Sequence, residues 1–318
     1  MAELKAEAIL DEAIDPDQLV FKELPPSPNV LLTGGTGFLG AFLIEELLKQ
    51  TKSDVHCLVR AADLKAGEER LYNNLKKYGV WQENYKKRIS VLLGDLSKPQ
   101  LNLSDSEFQQ LAEKMDVIYH NGAHLNYIYP YKGLKAVNVD STRDILRLAV
   151  TAKLKPVHYV SSIVVVSSSY YAQKTIDENT SLDHVEGMEL VYAQSKWVSE
   201  QLVLEAGKRS VSISIYRPPY ISGHSETGAW NTNDFICRLL KAAIQTGYMY
   251  DLDAVFDLSP VDYVSKAIIN LSVRPESYGN VFHLTNPKPW DWVEVVQWLR
   301  SLNYDVKLIP YADWLDKM

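Results

Sequence analysis

Cysteine is scarce, with two residues in a chain of 318. Cys57 falls in an apolar strand pattern and Cys237 in a helical one. Two such residues cannot build a disulfide framework or a thiolate metal site, and they suit a reducing cytosol. Positive charge is also in deficit: 33 Lys and Arg stand against 40 Asp and Glu, a formal net charge of −7. An acidic surface repels phosphate backbones, so no nucleic-acid partner is expected. The chain opens acidic, contains Pro16, and has no basic stretch followed by an apolar one, which excludes a secretory signal peptide. Apolar runs are short; Ile163 to Val166 is far below the roughly 20 residues that cross a bilayer. These absences predict a soluble, cytoplasmic protein with no membrane partner. The remaining composition, 46% apolar and 23% charged, is that of a globular chain. It is long enough for one large domain, or one domain with a smaller lobe.

Residues 1–28 are acidic, then proline-rich (Pro25, Pro26, Pro28), and read as a leader laid over the surface. Strands and helices then alternate. NVLLTG, DVHCLVR, RISVLLGD, DVIYHNGA, PVHYVSS and VSISIYR read as strands. Helices are predicted near 37–50, 64–78, 105–114, 137–152 and 187–207. Strands apolar on both faces and separated by helices imply an α/β fold: a Rossmann-type, doubly wound parallel sheet with helices on each side. The pattern breaks after Arg217, with a loop, a helix near 234–245, a short helix opening at Pro260, the strand GNVFHL and an amphipathic helix in WDWVEVVQWLRSL. The nucleotide-binding domain is therefore assigned to residues 29–222, with 256–285 returning to it. Residues 223–255 and 286–318 are assigned to a smaller C-terminal substrate lobe. Trp290, Trp292, Trp298 and Trp314 read as core of that lobe rather than a ligand cage.

Thr33 to Gly40 reads TGGTGFLG, a strand running straight into a helix. Gly34 permits the tight turn, Gly37 lets backbone amides approach a pyrophosphate, and Gly40 lets helix and strand pack closely. Thr33, Thr36, Phe38 and Leu39 complete this cofactor segment. Between a strand and a helix at the head of an alternating chain, the pattern predicts a dinucleotide site. The next strand ends in Arg60, where an NAD enzyme prefers an acidic residue. An arginine offers a fork of donors to a 2′-phosphate, so the expected cofactor is NADPH. Arg70 is a candidate second contact. Asp95 and Leu96, at the end of the third strand, are placed to meet the adenine, with a loop-capping role as the alternative for Asp95.

Tyr192 and Lys196 occur as YAQSK in a helical pattern, and the i, i+4 spacing puts them on one face. A free tyrosine titrates near 10, and a neighbouring cation favours the phenolate and lowers that value. Tyr192 can then protonate an oxygen that becomes negative as hydride arrives, and Lys196 can also hold the nicotinamide ribose. Ser162, ending the fifth strand, supplies a hydroxyl to the same oxygen, with Ser161 as the competing candidate. Asn121 and Asn138 are candidates to line the cofactor or order a water. His120 and His124 flank Asn121-Gly122-Ala123 without a cysteine or carboxylate cluster. They read as loop histidines rather than metal ligands.

Taken in order, TGGTGFLG, CLVRA, GDLS, VIYHNGA, HYVSS, YAQSKW, YRPPYISG, TGAWNTNDF and PVDYVS resemble the thioester reductase domains of the extended short-chain dehydrogenase/reductase superfamily. Those domains end many nonribosomal peptide and polyketide synthases, and related ones serve carboxylic acid reductases and aminoadipate reductases. The likeness runs from about Leu4 onward, and LKAEAILDEAIDP resembles the segment that precedes such a domain. The resemblance implies an acyl or peptidyl thioester on the phosphopantetheine arm of a carrier protein, reduced by NADPH to an aldehyde; a second hydride would give an alcohol. Ser162 stands where the family usually has threonine, and Tyr192 and Lys196 match. Relatives that cyclise without redox chemistry lose the tyrosine, so its presence argues for reduction. Pro219 replaces a glycine often found after Arg-Pro. No adenylation or carrier sequence is present, so the carrier is expected in trans or within a longer parent chain. Relatives usually continue beyond Asp316-Lys317-Met318, which falls in a predicted helix, so the lobe is expected to be incomplete.

Two other enzyme readings share the scaffold, a fatty acyl-CoA reductase and a nucleotide-sugar epimerase or dehydratase. Sugar enzymes usually pair NAD with an acidic residue at the position of Arg60. From another class, a non-catalytic NADP-binding interaction module is disfavoured by the intact Tyr192 and Lys196.

Overall fold

A computed structural model describes residues 2–16 and 19–317; Met1, Asp17, Gln18 and Met318 lie outside the described residues. The alternation of apolar runs and amphipathic stretches gives, in chain order, α1 (Ala2–Glu7), β1 (Asn29–Thr33), α2 (Phe38–Gln50), β2 (Asp54–Val59), α3 (Leu64–Lys77), β3 (Ile89–Leu93), α4 (Asp105–Lys114), β4 (Val117–His120) and α5 (Tyr131–Lys135). Then come α6 (Ser141–Val150), β5 (Val157–Val160), α7 (Val191–Lys208), β6 (Ile213–Arg217), β7 (Tyr220–Ser222), α8 (Phe235–Thr246), β8 (Tyr248–Tyr250), β9 (Val255–Phe256) and β10 (Leu258–Pro260). The last elements are α9 (Val261–Ser272), β11 (Asn280–His283), β12 (Trp290–Asp291), α10 (Trp292–Ser301), β13 (Lys307–Ile309) and α11 (Tyr311–Leu315). Two compact units result, Met1–Pro218 with Tyr263–Leu284, and Pro219–Asp262 with Thr285–Met318.

The first unit holds a seven-stranded sheet in the order β11-β6-β5-β4-β1-β2-β3, with every pair parallel. β1 pairs with β2 on one side and β4 on the other, so the strand order reverses there. This is the switch point at which the C-terminal strand ends of a doubly wound sheet open a crevice. β4, β5 and β6 are buried along their whole length, as strands covered by helices on both faces must be. Local signals set the helix starts. Asp63 caps α3 through Ala66 N (2.8 Å), and Ser104 and Glu107 form a reciprocal capping box on α4, each satisfying otherwise orphaned N–H groups. Among the described residues no helix is long and apolar enough to cross a membrane.

Several elements differ from the sequence reading for identifiable reasons. The helix predicted over 137–152 is broken by a π-helical segment, Ala136–Asp140, between α5 and α6. Thr142 Oγ1 (2.6 Å) and Ser199 Oγ (2.8 Å) both donate to Asn138 O, and side chains inserted into the ladder divert its bonds. α7 starts at Val191 rather than 187, because Gly187 sits at φ +65° in the preceding loop, against Ser169. α9 is a full twelve residues, not a short helix. The leader is not merely laid over the surface. Leu10 and Ile14 are fully buried in the main core, Arg209 donates to the carbonyls of Leu10, Asp11 and Ile14, and Lys135 pairs with Glu7 at 2.6 Å.

Lys155 is buried, and its Nζ donates to Leu148 O (3.0 Å), Thr151 O (2.7 Å) and Lys153 O (2.8 Å) at the end of α6. It thereby adds a buried, charged donor to the carbonyls that close the helix. Lys155→Met keeps the volume but removes these three charged hydrogen bonds. Stability is expected to fall by about 2–4 kcal/mol, read as a lower urea midpoint at unchanged slope.

The second unit packs α8, α10 and short strands around Ile236, Leu240, Met249, Phe256, Trp292 and Val296. α8 is capped by Asp234 and ends at Gly247, whose φ of +76° places it in the left-handed region that glycine tolerates. The unit boundaries fall at Pro218 and Asp262 rather than 222 and 256, because β7 pairs with β10 in a sheet of its own. Trp292 stacks on Phe256 at 4.5 Å and donates to Tyr250 O at 2.6 Å, and Trp314 packs at the core edge. Trp290 and Trp298 are exposed, contrary to the core reading, and meet edge to face at 5.9 Å. At the C-terminal end α11 stops at Leu315 and Asp316–Lys317 form a turn, while Met318 lies outside the described residues.

Candidate active site

The glycine turn lies between β1 and α2, and its spacing is enforced by contact. Gly34 has φ +73°, and a Cβ there would stand 2.8 Å from Asn121 Nδ2 and from Gly122 N. A Cβ on Gly40 would stand 2.1 Å from Gly34 O, so only glycine lets α2 approach the turn. Gly37, the N-cap of α2, offers no side-chain cap, and a Cβ there would meet Gly34 O at 3.2 Å. The first N–H groups of a thirteen-residue helix are thus left to an outside acceptor at the positive end of its dipole. Asn74 Nδ2 donates to Gly37 O (3.0 Å) and Gly35 O (3.4 Å), bracing the turn from α3. Phe38 turns its ring onto Phe42 and Tyr78, and Leu39 is buried, so both offer backbone rather than side chain; Thr36 is half-buried.

Beside the turn, Thr33 Oγ1 accepts from Gly122 N (2.9 Å) and bonds His120 Nδ1 (2.8 Å), whose Nε2 meets Thr142 Oγ1 at 3.2 Å. Burial, with Lys196 nearby, takes His120 down to about 3, so its ring stays neutral. Asn121 Nδ2 donates weakly to Gly34 O (3.4 Å). Leu96 covers Gly122, where a Cβ would meet Leu96 Cδ1 at 2.4 Å. Asp95 accepts from Ser97 N (2.9 Å) and Ser97 Oγ (2.8 Å). Burial pushes its carboxyl up, but these bonds and the charges of Arg60 and Lys98 hold it below the usual range. Arg60 is exposed at the end of β2, and Arg70 Nη1 donates to its carbonyl at 2.6 Å. The residues fit a dinucleotide: an uncapped helix N-terminus, a bare glycine at the switch point, and an exposed guanidinium beyond the second strand.

α7 carries Tyr192 and Lys196 on one face. Its start is anchored by Gln194 Nε2 on Met188 O (2.7 Å) and Trp197 Nε1 on Leu182 O (2.7 Å). Lys196 is buried, donates to Val160 O at 2.8 Å, and lies 4.2 Å from the Tyr159 ring centre. Burial brings its ammonium down to about 7, against the opposing pull of Glu200. The sequence reading has Lys196 lowering the Tyr192 phenol. In the structure burial, reinforced by Tyr127, pushes the phenol up instead. Desolvation sets the direction, and Tyr192 keeps its proton at neutral pH.

The two serines ending β5 differ. Ser161 is buried and donates to Glu200, whereas Ser162 has only long bonds, to Pro218 O (3.5 Å) and from Val164 N (3.4 Å). Ser162 therefore has the hydroxyl that is free to turn to a ligand. Asn138, expected to line the cofactor or order a water, is occupied within the protein. Oδ1 accepts from His124 N (2.7 Å), and Nδ2 donates to Ser195 Oγ (2.9 Å) and His124 O (3.1 Å). It ties the loop after β4 to α7, and the main chain of His124 is held by the same bonds. Sequence reasoning missed Asn74 and the Glu200–Arg217 pair. The pair had a signal: a carboxylate four residues after Lys196, and an arginine closing an apolar strand.

Comparison with known proteins agrees with this geometry. The sequence pattern of an NAD-binding family described as male sterility protein matches residues 32–268. A linear gramicidin synthase of Brevibacillus parabrevis is 38% identical over 320 residues, which is 99% of this chain and 6% of that protein. The terminal R domain from the myxalamid PKS-NRPS biosynthetic pathway superposes with a TM-score of 0.96 at 44% identity, over 99% of this chain and 81% of that one. A thiolation-reductase di-domain from an archaeal nonribosomal peptide synthetase superposes with a TM-score of 0.77 at 25% identity, over 99% and 84% of the two chains. This chain is an NAD(P)-dependent oxidoreductase of the short-chain dehydrogenase/reductase type that belongs to the NAD-binding family described as male sterility protein, and over nearly its whole length it is similar to reductase domains of peptide and polyketide synthases.

Proposed function

We propose that the chain uses NADPH to reduce an acyl or peptidyl thioester, held on the phosphopantetheine arm of a carrier protein, and so releases an aldehyde. The observation that carries this reading is a phenol kept protonated by burial on the same helix face as a buried lysine, on a scaffold with an uncapped dinucleotide turn. Bound at that turn, NADPH supplies a hydride. Tyr192 gives its proton to the thioester oxygen as negative charge develops there, and Ser162 donates a second hydrogen bond to that oxygen. Lys196, fixed on Val160 O, restores the phenol proton. The resulting hemithioacetal then collapses: its C–S bond breaks as the C=O bond reforms, and the hydroxyl proton passes to the pantetheine sulfur, which leaves as a thiol. A second hydride, from a second NADPH, would carry the aldehyde on to an alcohol. The second unit takes the acyl chain in this reading, and the carrier is delivered by a parent synthase or as a separate cytoplasmic protein. The arrangement is supported by the relatives, which include a thiolation-reductase di-domain.

Octanoyl-loaded carrier protein, NADPH and this chain should give rapid cofactor oxidation and octanal. Turnover of octanoyl-CoA with none of the carrier-bound acyl group contradicts the carrier assignment. Arg60 carries the cofactor preference. Arg60→Ala is expected to weaken NADPH binding about ten- to a hundredfold, the loss of one or two charged hydrogen bonds, and to leave NADH nearly unchanged. Titration of cofactor fluorescence checks it, and equal losses for both cofactors count against a 2′-phosphate contact.

A further inference from the structure

One ion pair in the first unit lies entirely out of water. Glu200 is 0% and Arg217 1% exposed, and Arg217 Nη2 stands 2.6 Å from Glu200 Oε1. Arg217 Nε adds contacts of 3.1 Å and 3.3 Å to the two carboxylate oxygens, and Nη1 meets His283 Nε2 at 2.9 Å. Ser161 donates to the remaining side of Glu200. Desolvation makes such a pair a poor source of stability, so its presence calls for another explanation. Its position supplies one. Residues 192, 196 and 200 are spaced four apart on α7, so Glu200 lies one turn beyond Lys196 on the same face. Ser161 directly follows β5, next to Ser162 in the chain, and Arg217 ends the neighbouring β6.

We infer that Glu200 is a positioning residue for the reduction: its carboxylate, fixed by Arg217, pins Ser161 next to Ser162 and places a negative charge one helical turn from Lys196. The groups facing Lys196 bear this out. His120 from β4 is neutral, Tyr159 from β5 presents its ring, Val160 presents its carbonyl, and Tyr192 on α7 keeps its proton. Glu200 is the acidic charge acting on Lys196, opposing its desolvation, and its carboxylate is itself bound by Arg217.

The inference rests on the reading of Tyr192 and Lys196 as the proton-delivering pair, and its test separates the two. Reduction consumes a proton, so the rate falls as pH rises past the point where Lys196 loses its own. The probe is the octanoyl thioester of pantetheine at saturation, with kcat followed by NADPH oxidation from pH 5.5 to 9. Glu200→Gln retains hydrogen-bonding capacity but not charge. It is expected to move the basic limb of the profile to lower pH by about half a unit or more, while Glu200→Asp leaves the limb in place. If the unpaired arginine prevents folding, Glu200→Gln combined with Arg217→Met is measured instead, with a smaller shift in the same direction. A uniform loss at every pH, or a limb at the wild-type position, overturns the role of Glu200. A Tyr192→Phe protein as active as wild type instead overturns the proton-delivery reading, whatever Glu200 does.

Discussion

Replacing Tyr192 with phenylalanine is expected to lower kcat for thioester reduction by about 10²–10⁴-fold, the contribution of a positioned general acid, while NADPH affinity changes little. The substitution removes one hydroxyl from a half-buried ring and leaves the helix anchors at Gln194 and Trp197 intact. The direction follows from the charge that reduction creates. A carbonyl oxygen receiving hydride becomes an alkoxide, and without a donor its charge is left unstabilised. Burial holds the Tyr192 phenol above its ordinary range, so the proton is present at neutral pH and transfers when an oxyanion more basic than phenolate forms. Ser162, with only two long internal bonds, supplies the residual stabilisation. A kcat within a few-fold of wild type would remove Tyr192 from the chemistry. Stopped-flow single turnovers distinguish that result from a change of rate-limiting step.

The second large effect lies at Gly40. Gly40→Ala places a carbon 2.1 Å from Gly34 O, well inside van der Waals contact, and the atom it meets is backbone that cannot rotate away. α2 must shift away from β1, which moves the uncapped N–H groups behind Gly37. The expected outcome is a stability loss of about 1–3 kcal/mol or more from overpacking. NADPH binding should weaken by about a hundredfold, roughly 2.8 kcal/mol. Isothermal titration after a melting curve separates the two. A folded Gly40→Ala protein with wild-type affinity refutes the assignment of this turn to the pyrophosphate.

Residues with a strong local signature were legible in the sequence. Gly34, Gly37 and Gly40 declare a strand-turn-helix because each meets a separate steric demand, and the alternation of apolar runs with amphipathic stretches fixes a parallel, doubly wound sheet. The two serines, by contrast, look alike in HYVSS. Only the bond from Ser161 to Glu200 across the fold separates them. Spacing placed Tyr192 and Lys196 on one face but mistook the electrostatics, since period alone does not report that Lys196 bonds Val160 O and that burial dominates the phenol. Asn138 was legible as polar and inward, but not as the residue at which two hydroxyls bend the helix. The exposed Trp290 and Trp298 show the converse error, because aromatic content does not reveal which face of a short strand or helix is covered.

Isotope transfer tests the central claim most directly. Carrier-bound octanoyl thioester is incubated with this chain and NADPH deuterated at C4 on the transferred face, and the released product is examined by mass spectrometry. One deuterium on the aldehyde carbon is the predicted outcome. Unlabelled octanoic acid, or no release with the cofactor left unoxidised, would contradict the account.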